Sequence, residues 1–170
     1  MKHLKKGAKV ALLGENYFPP MSNSHVTKRR SKSLQKVLGA IVHYEPSVIY
    51  VCPTKGVNIN LLPLLLMNEI PFRLVFPSTH FFSNLDSEEK LILEAASNVA
   101  DKIIILSQEP SNPLKWSQDW YEASKKVVDN SDWVMVVHTP TEANMGFEDL
   151  MLKFENNPKP VLAIGLGQGE

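Results

Sequence analysis

Six short apolar runs recur along the chain: Lys9–Leu13, Val48–Cys52, Phe72–Phe76, Lys102–Leu106, Trp133–Val137 and Val161–Ile164. Each is nearly continuous rather than alternating, and most are rich in β-branched residues. A strand with one wet face alternates apolar and polar residues. Continuous runs predict strands buried on both faces, as in a parallel sheet covered by helices. Longer segments of helical periodicity lie between them. Thr27–Tyr44 places Leu34, Val37, Leu38, Ile41 and Val42 on one face. Asn58–Asn68 is mostly apolar and carries Pro63, which fits a first turn or a kink. Asp86-Ser87-Glu88-Glu89 has the spacing of a capping box and leads into Leu91, Ile92, Ala95 and Val99. Trp116–Asn130 and Phe147–Asn156 complete the series.

Strictly alternating strands and helices predict right-handed βαβ crossovers. The expected fold is α/β: a Rossmann-like, doubly wound, mostly parallel sheet of about six strands with helices on both faces. A length of 170 residues suits one domain, residues 1–170, with one core. The segment from Glu15 to Val26 reads as a long loop after the first strand and contains Pro19-Pro20. Such loops more often serve function than connection alone.

Composition narrows the functional classes. Lys plus Arg equals Asp plus Glu at 18 each, so net charge gives no global attraction to nucleic acid or to an anionic membrane. Nucleic-acid binding is therefore disfavoured, and only Lys28-Arg29-Arg30 forms a local basic cluster, read first as a solvated turn. The single cysteine, Cys52, excludes an internal disulfide. No apolar stretch approaches the length of a membrane span, and the expected location is cytoplasmic. His3, His25, His43 and His80 show no metal-ligand spacing with one another or with Cys52, so no metal is expected.

In open α/β sheets, ligands bind beyond the carboxyl ends of the strands, near the point where strand order reverses. That rule selects Gly14, Glu15 and Asn16 after the first strand, and Thr54, Lys55, Gly56 and Asn58 after the second. It also selects Ser107 after the fourth, and His138, Thr139 and Thr141 after the fifth. The turn Thr54-Lys55-Gly56-Val57-Asn58 is the most informative of these. Glycine admits close backbone approach, helix N-terminal amides can hold an anion, and Lys55 adds charge. The competing reading is a tight turn at Gly56 with Asn58 capping the next helix. Trp116, Trp120 and Tyr121 share a helix and could stack a base, although core packing explains such a stripe equally. His80-Phe81-Phe82 after the third strand fits a lid or an interface patch.

Lys55-Gly56-Val57-Asn58, a helix, and Ile70-Pro71 before a strand ending Val75-Phe76-Pro77 together resemble the SLOG superfamily. That superfamily includes YpsA-like proteins, the DNA-processing protein DprA and the LOG-type proteins. Val127-Val128-Asp129-Asn130-Ser131-Asp132 resembles the YpsA-like element before the fifth strand. The resemblance runs from about Lys9 to Gly165. It implies a Rossmann-like fold, a nucleotide or nucleotide-derived ligand in place of any other cofactor, a sensor or scaffold role, and a homo-oligomer. The chain also departs from the family. Gly14-Glu15-Asn16 lacks the Arg of its first loop, Asn58 stands where an Asp is usual, and the glycine-rich LOG signature is absent. Efficient catalysis by the LOG route is not implied. Two alternatives remain. One is cleavage or transfer of an N-glycosidic bond by a carboxylate, as in the neighbouring deoxyribosyltransferases, with Glu142 and Glu148 as candidates. Glu142 also suits a first helical turn for reasons of macrodipole alone, and Glu148 a solvated position. The other is an interaction protein that keeps the fold without the pocket.

Overall fold

The computed structural model describes residues 4–15, 24–79, 85–109, 113–138 and 146–166. Its element order is β1 (Lys9–Gly14), α1 (Ser24–Tyr44), β2 (Val48–Val51), α2 (Val57–Met67), β3 (Phe72–Phe76) and α3 (Ser87–Val99). There follow β4 (Lys102–Ile105), a 3-10 turn (Pro113–Lys115), α4 (Trp116–Asp129), β5 (Trp133–His138), α5 (Phe147–Lys153) and β6 (Val161–Gly165). The six strands form one sheet in the order β4-β3-β2-β1-β5-β6, and every adjacent pair is parallel. The Rossmann-like α/β fold expected from the hydrophobic runs is present. The order reverses between β1 and β5, which makes that junction the topological switch point.

Side-chain alternation along the central strands divides the core into two layers. Val10 and Leu12 of β1, with Ile49, Val51, Leu74, Met135 and Val137, pack against Val37 and Ile41 of α1, Leu61, Leu62 and Leu65 of α2, and Leu93 of α3. Ala11 and Leu13, with Tyr50, Val75 and Val134, pack against Trp120, Ala123 and Val127 of α4 and Phe147 and Leu150 of α5. Burial of both faces explains why β1, β2, β3 and β5 read as continuous apolar runs. Trp120 belongs to this second layer, and Trp116 leans on it with ring centroids 4.9 Å apart. The aromatic stripe of α4 is therefore largely core.

The expectation of two buried faces fails at the sheet margins. β4 is exposed along most of its length, and β6 is only partly covered. Both are edge strands, each with a single hydrogen-bonding neighbour among the described residues. Their composition matches the interior strands, but their position leaves side chains in water.

The caps show how local sequence ends and starts these elements. Asp86 caps α3: its Oδ1 accepts from the Glu89 amide at 2.8 Å, while Glu89 Oε1 accepts from the Asp86 amide at 3.0 Å. The capping box is thus complete. Pro63 lies inside α2 rather than in its first turn. It removes an amide that would otherwise donate to Ile59. At the other end of the molecule, the Lys159 ammonium donates to Val128, Asp129 and Ser131 main-chain carbonyls at 2.6, 3.1 and 2.6 Å. It thereby closes the C-terminus of α4, where helical carbonyls lack intrahelical donors. Among the described residues, no helix is long and apolar enough to cross a membrane, and no group of His, Cys, Asp and Glu is placed to hold a metal ion.

Two stability predictions follow from these caps. Lys159→Met should lower unfolding free energy by about 2 kcal/mol, measured by urea denaturation, because three carbonyls lose a charged donor. The Glu89 amide donated to the Asp86 carboxylate holds that carboxyl below its ordinary value. Its folded value thus lies below its unfolded one. The cap's contribution should be fully present above about pH 4 and be lost as pH falls through the depressed folded value. Asp86→Ala should accordingly lower Tm by a few degrees at neutral pH, and the difference from wild type should close in strong acid.

Candidate functional site

The carboxyl ends of β1 and β2 and the start of α2 meet at one point. Gly14, the last residue of β1, lies against the first turn of α2. A Cβ at Gly14 would stand 2.8 Å from Val57 Cβ and would overlap Asn58 Oδ1. The glycine is required by helix–strand approach, in the way that the close-packing glycine of a dinucleotide fold is. Main-chain bonds tighten this junction. The Val57 amide donates to the Glu15 carbonyl at 2.9 Å, and the Glu15 amide donates to the Val137 carbonyl at 3.0 Å. Glu15 thus ties α2 to β5 across the switch point, and its side chain is buried there.

The turn after β2 is shaped by Gly56, whose φ of 108° lies in the region that favours glycine. Gly56 is the N-cap residue of α2, and no side chain caps the helix. Asn58 therefore does not perform the capping role expected of it. Its side chain instead turns back into the strand end: Nδ2 donates to the Cys52 carbonyl at 2.8 Å and to Thr54 Oγ1 at 3.3 Å. Its Oδ1 is buried without a hydrogen-bond partner among the described residues and faces the Gly14 Cα. A Cα–H···O contact is what the geometry offers that oxygen. The Ile59 amide donates to the Thr54 carbonyl at 3.2 Å. Two of the first amides of α2, those of Val57 and Ile59, are thus already engaged by the protein's own carbonyls.

Lys55 leaves this turn and binds the capping carboxylate of α3: its Nζ lies 2.5 Å from Glu89 Oε1. The lysine is half exposed and the glutamate nearly buried. Glu89 therefore serves two partners, the N-terminus of α3 and the ammonium of the neighbouring turn. Ser78, two residues beyond β3, is also buried, and its hydroxyl has no hydrogen-bond partner among the described residues. Among the described residues seven polar side chains are buried, and five of them (Glu15, Thr54, Asn58, Ser78 and Glu89) sit along this one edge of the sheet or on the helix start beside it. Burial is costly for such groups unless they are partnered, so their concentration sets this edge apart from the rest of the molecule. Cys52 lies beneath them, fully buried, and burial pushes its thiol far above the ordinary value, which leaves it without a reactive thiolate.

Other expected site residues fall elsewhere. His138 ends β5 and is exposed, with its ring beside Gly165 of β6. It flanks the switch point on the side opposite β2. Ser107 follows β4, three strands from β1 at roughly 15 Å by strand spacing, and its hydroxyl accepts from the Glu109 amide at 3.2 Å. Glu148 is exposed in the first turn of α5. Asn16, Thr139, Thr141 and Glu142 lie outside the described residues, as does the His80-Phe81-Phe82 patch. The Lys28-Arg29-Arg30 backbone belongs to α1. Ser78 and Glu89 were not singled out from the sequence. The capping box located Glu89, but nothing in the linear pattern indicated that it would meet Lys55.

The same architecture occurs in a solved protein. The X-ray structure of DNA processing protein A (DprA) from Streptococcus pneumoniae superposes with a TM-score of 0.51 at 15% sequence identity. The match covers 91% of this chain and 58% of that one, so this chain spans a little over half of DprA. The fold is DprA-like and Rossmann-like. No family model matches the sequence, and no curated protein matches it either.

Gly14→Ala should destabilise the protein by about 1–3 kcal/mol through overpacking against α2. Gly39→Ala provides the control. It lies inside α1, a Cβ there meets nothing within 4 Å, and the change should stabilise by about 0.5–1 kcal/mol. Chemical denaturation of both variants would measure the contrast.

Proposed function

We propose that the chain binds a nucleotide or nucleotide-derived small molecule at the carboxyl ends of β1, β2 and β5, as a sensor or scaffold rather than as an efficient catalyst. The observation that carries this reading is the row of buried polar side chains along that edge, beside the switch point where open α/β sheets take their ligands. The DprA-like fold is consistent with it, since such folds offer this edge for ligands.

The described chemistry assigns parts to the residues. Glu15 offers a carboxylate, which suits ribose hydroxyls and the amino groups of a base, while Asn58 Nδ2 holds the Cys52 carbonyl and the Thr54 hydroxyl in place. Lys55 is the cation of the second turn, and a ligand phosphate would draw it from Glu89. Thr54 adds a hydroxyl. The N-glycosidic alternative has no comparable support. Glu148 is solvated on α5, on the opposite face of the sheet from α2.

Native mass spectrometry of freshly purified protein, followed by thermal shift against a panel of mononucleotides and dinucleotides, tests the reading. A co-purified nucleotide, or a raised Tm with at least one panel member, is the expected result. Lys55→Met should then weaken that binding about tenfold, the equivalent of one charge-assisted hydrogen bond. No retained nucleotide and no shift across the panel would refute the proposal.

A further inference from the structure

We infer that Glu89 competes with the ligand's anionic group for Lys55, so that filling the proposed site releases Glu89 and loosens the start of α3. This inference rests on the nucleotide-binding reading above and adds the regulation of that site. The coupling begins at one oxygen. Glu89 Oε1 accepts from the Asp86 amide at 3.0 Å and from the Lys55 ammonium at 2.5 Å. The first bond closes the N-terminus of α3, and the second reaches the turn between β2 and α2. Among the described residues, Glu89 is the one carboxylate that Lys55 pairs with.

Exposure decides which partner moves. The Glu89 side chain is 11% exposed and that of Lys55 is 44% exposed. The carboxylate is held by its surroundings and by its cap, whereas the ammonium stands on a flexible stem with a route to solvent. An incoming phosphate therefore meets the lysine first. Ser78 points independently to a ligand at this end of the sheet. It is 3% exposed, it follows β3, the neighbour of β2, and its hydroxyl has no hydrogen-bond partner among the described residues. Buried hydroxyls are ordinarily partnered, and a phosphate oxygen is an acceptor of the kind this one lacks.

The consequence for α3 follows from charge. Asp86, Glu88 and Glu89 place three carboxylates at its cap and first turn. The Glu89 amide is the main influence holding the Asp86 carboxyl low, and Lys55 acts in the same direction. Withdrawing Lys55 leaves the nearly buried Glu89 without its counter-ion and beside another carboxylate. An uncompensated charge in such a place is strongly unfavourable. Glu89 is relieved by turning toward water, which breaks its bond to the Asp86 amide and opens the capping box. Binding at Lys55 and closure of α3 thus oppose each other. The opposition is reciprocal: removing the charge of Glu89 must strengthen anion binding by the factor that Glu89 costs it.

Calorimetric titration of the full chain with inorganic pyrophosphate, together with hydrogen exchange, tests the coupling. Glu89→Gln keeps a residue that serves at N3 of a capping box but removes the charge. It should bind pyrophosphate about fivefold more tightly than wild type, the scale of one partly exposed ion pair. Lys55→Met should lose this binding. In wild type, saturating pyrophosphate should speed exchange in the peptide spanning 85–92 and leave the peptide spanning 133–138 unchanged. Lys55→Met without pyrophosphate should show the same faster exchange at 85–92, a reading that needs no ligand. Equal affinity of wild type and Glu89→Gln would overturn the inference. So would unaltered exchange at 85–92 in saturated wild type or in Lys55→Met, or no pyrophosphate binding by either wild type or Glu89→Gln. Failure of the nucleotide reading shows separately, as no binding by any member of the nucleotide panel, whereas failure of the coupling alone shows as binding with α3 unaffected.

Discussion

Everything at the candidate site is arranged around the contact between the end of β1 and the first turn of α2. Gly14 lets Val57 and Asn58 come against the strand with no Cβ between them. The Val57 amide then reaches the Glu15 carbonyl, and the Glu15 amide reaches Val137 on β5. A single residue thereby couples a helix on one face to the strand beyond the switch point. Separating these elements would strand a buried asparagine and a buried glutamate, which is costly in a low-dielectric interior.

That contact changes the chemistry of the turn at Gly56. A helix start preceded by glycine is a general anion site when its amides are open. Here the amides of Val57 and Ile59 are consumed by Glu15 and Thr54 carbonyls, and Lys55 is neutralised by Glu89. The edge is consequently less electropositive than the turn sequence suggests. Carboxylate and amide side chains dominate it, which suits the hydroxyl and amino groups of the proposed ligand better than its phosphate.

The margins of the sheet follow a different logic. β1, β2, β3 and β5 are apolar because both faces are covered, whereas β4 is apolar while standing in water. Arg73 and Asp101 hold an ion pair at 2.7 Å beside β4, and an exposed pair of this kind contributes little to stability.

By itself, the sequence determined the strands, their parallel pairing and the helical layers, because continuous apolar runs separated by amphipathic segments have few alternative packings. It also located the Asp86–Glu89 cap, whose bonds span only three residues. It did not determine which strands would be edges. Val48–Val51 and Lys102–Ile105 carry similar β-branched residues, and strand order, not composition, decides which is covered. Nor could it show that Asn58 would reach back to Cys52 instead of capping α2, that Lys55 would meet Glu89, or that Lys159 would close α4. Those contacts join residues whose separation in sequence says nothing of their distance in space, and only the crossovers of the sheet bring them together.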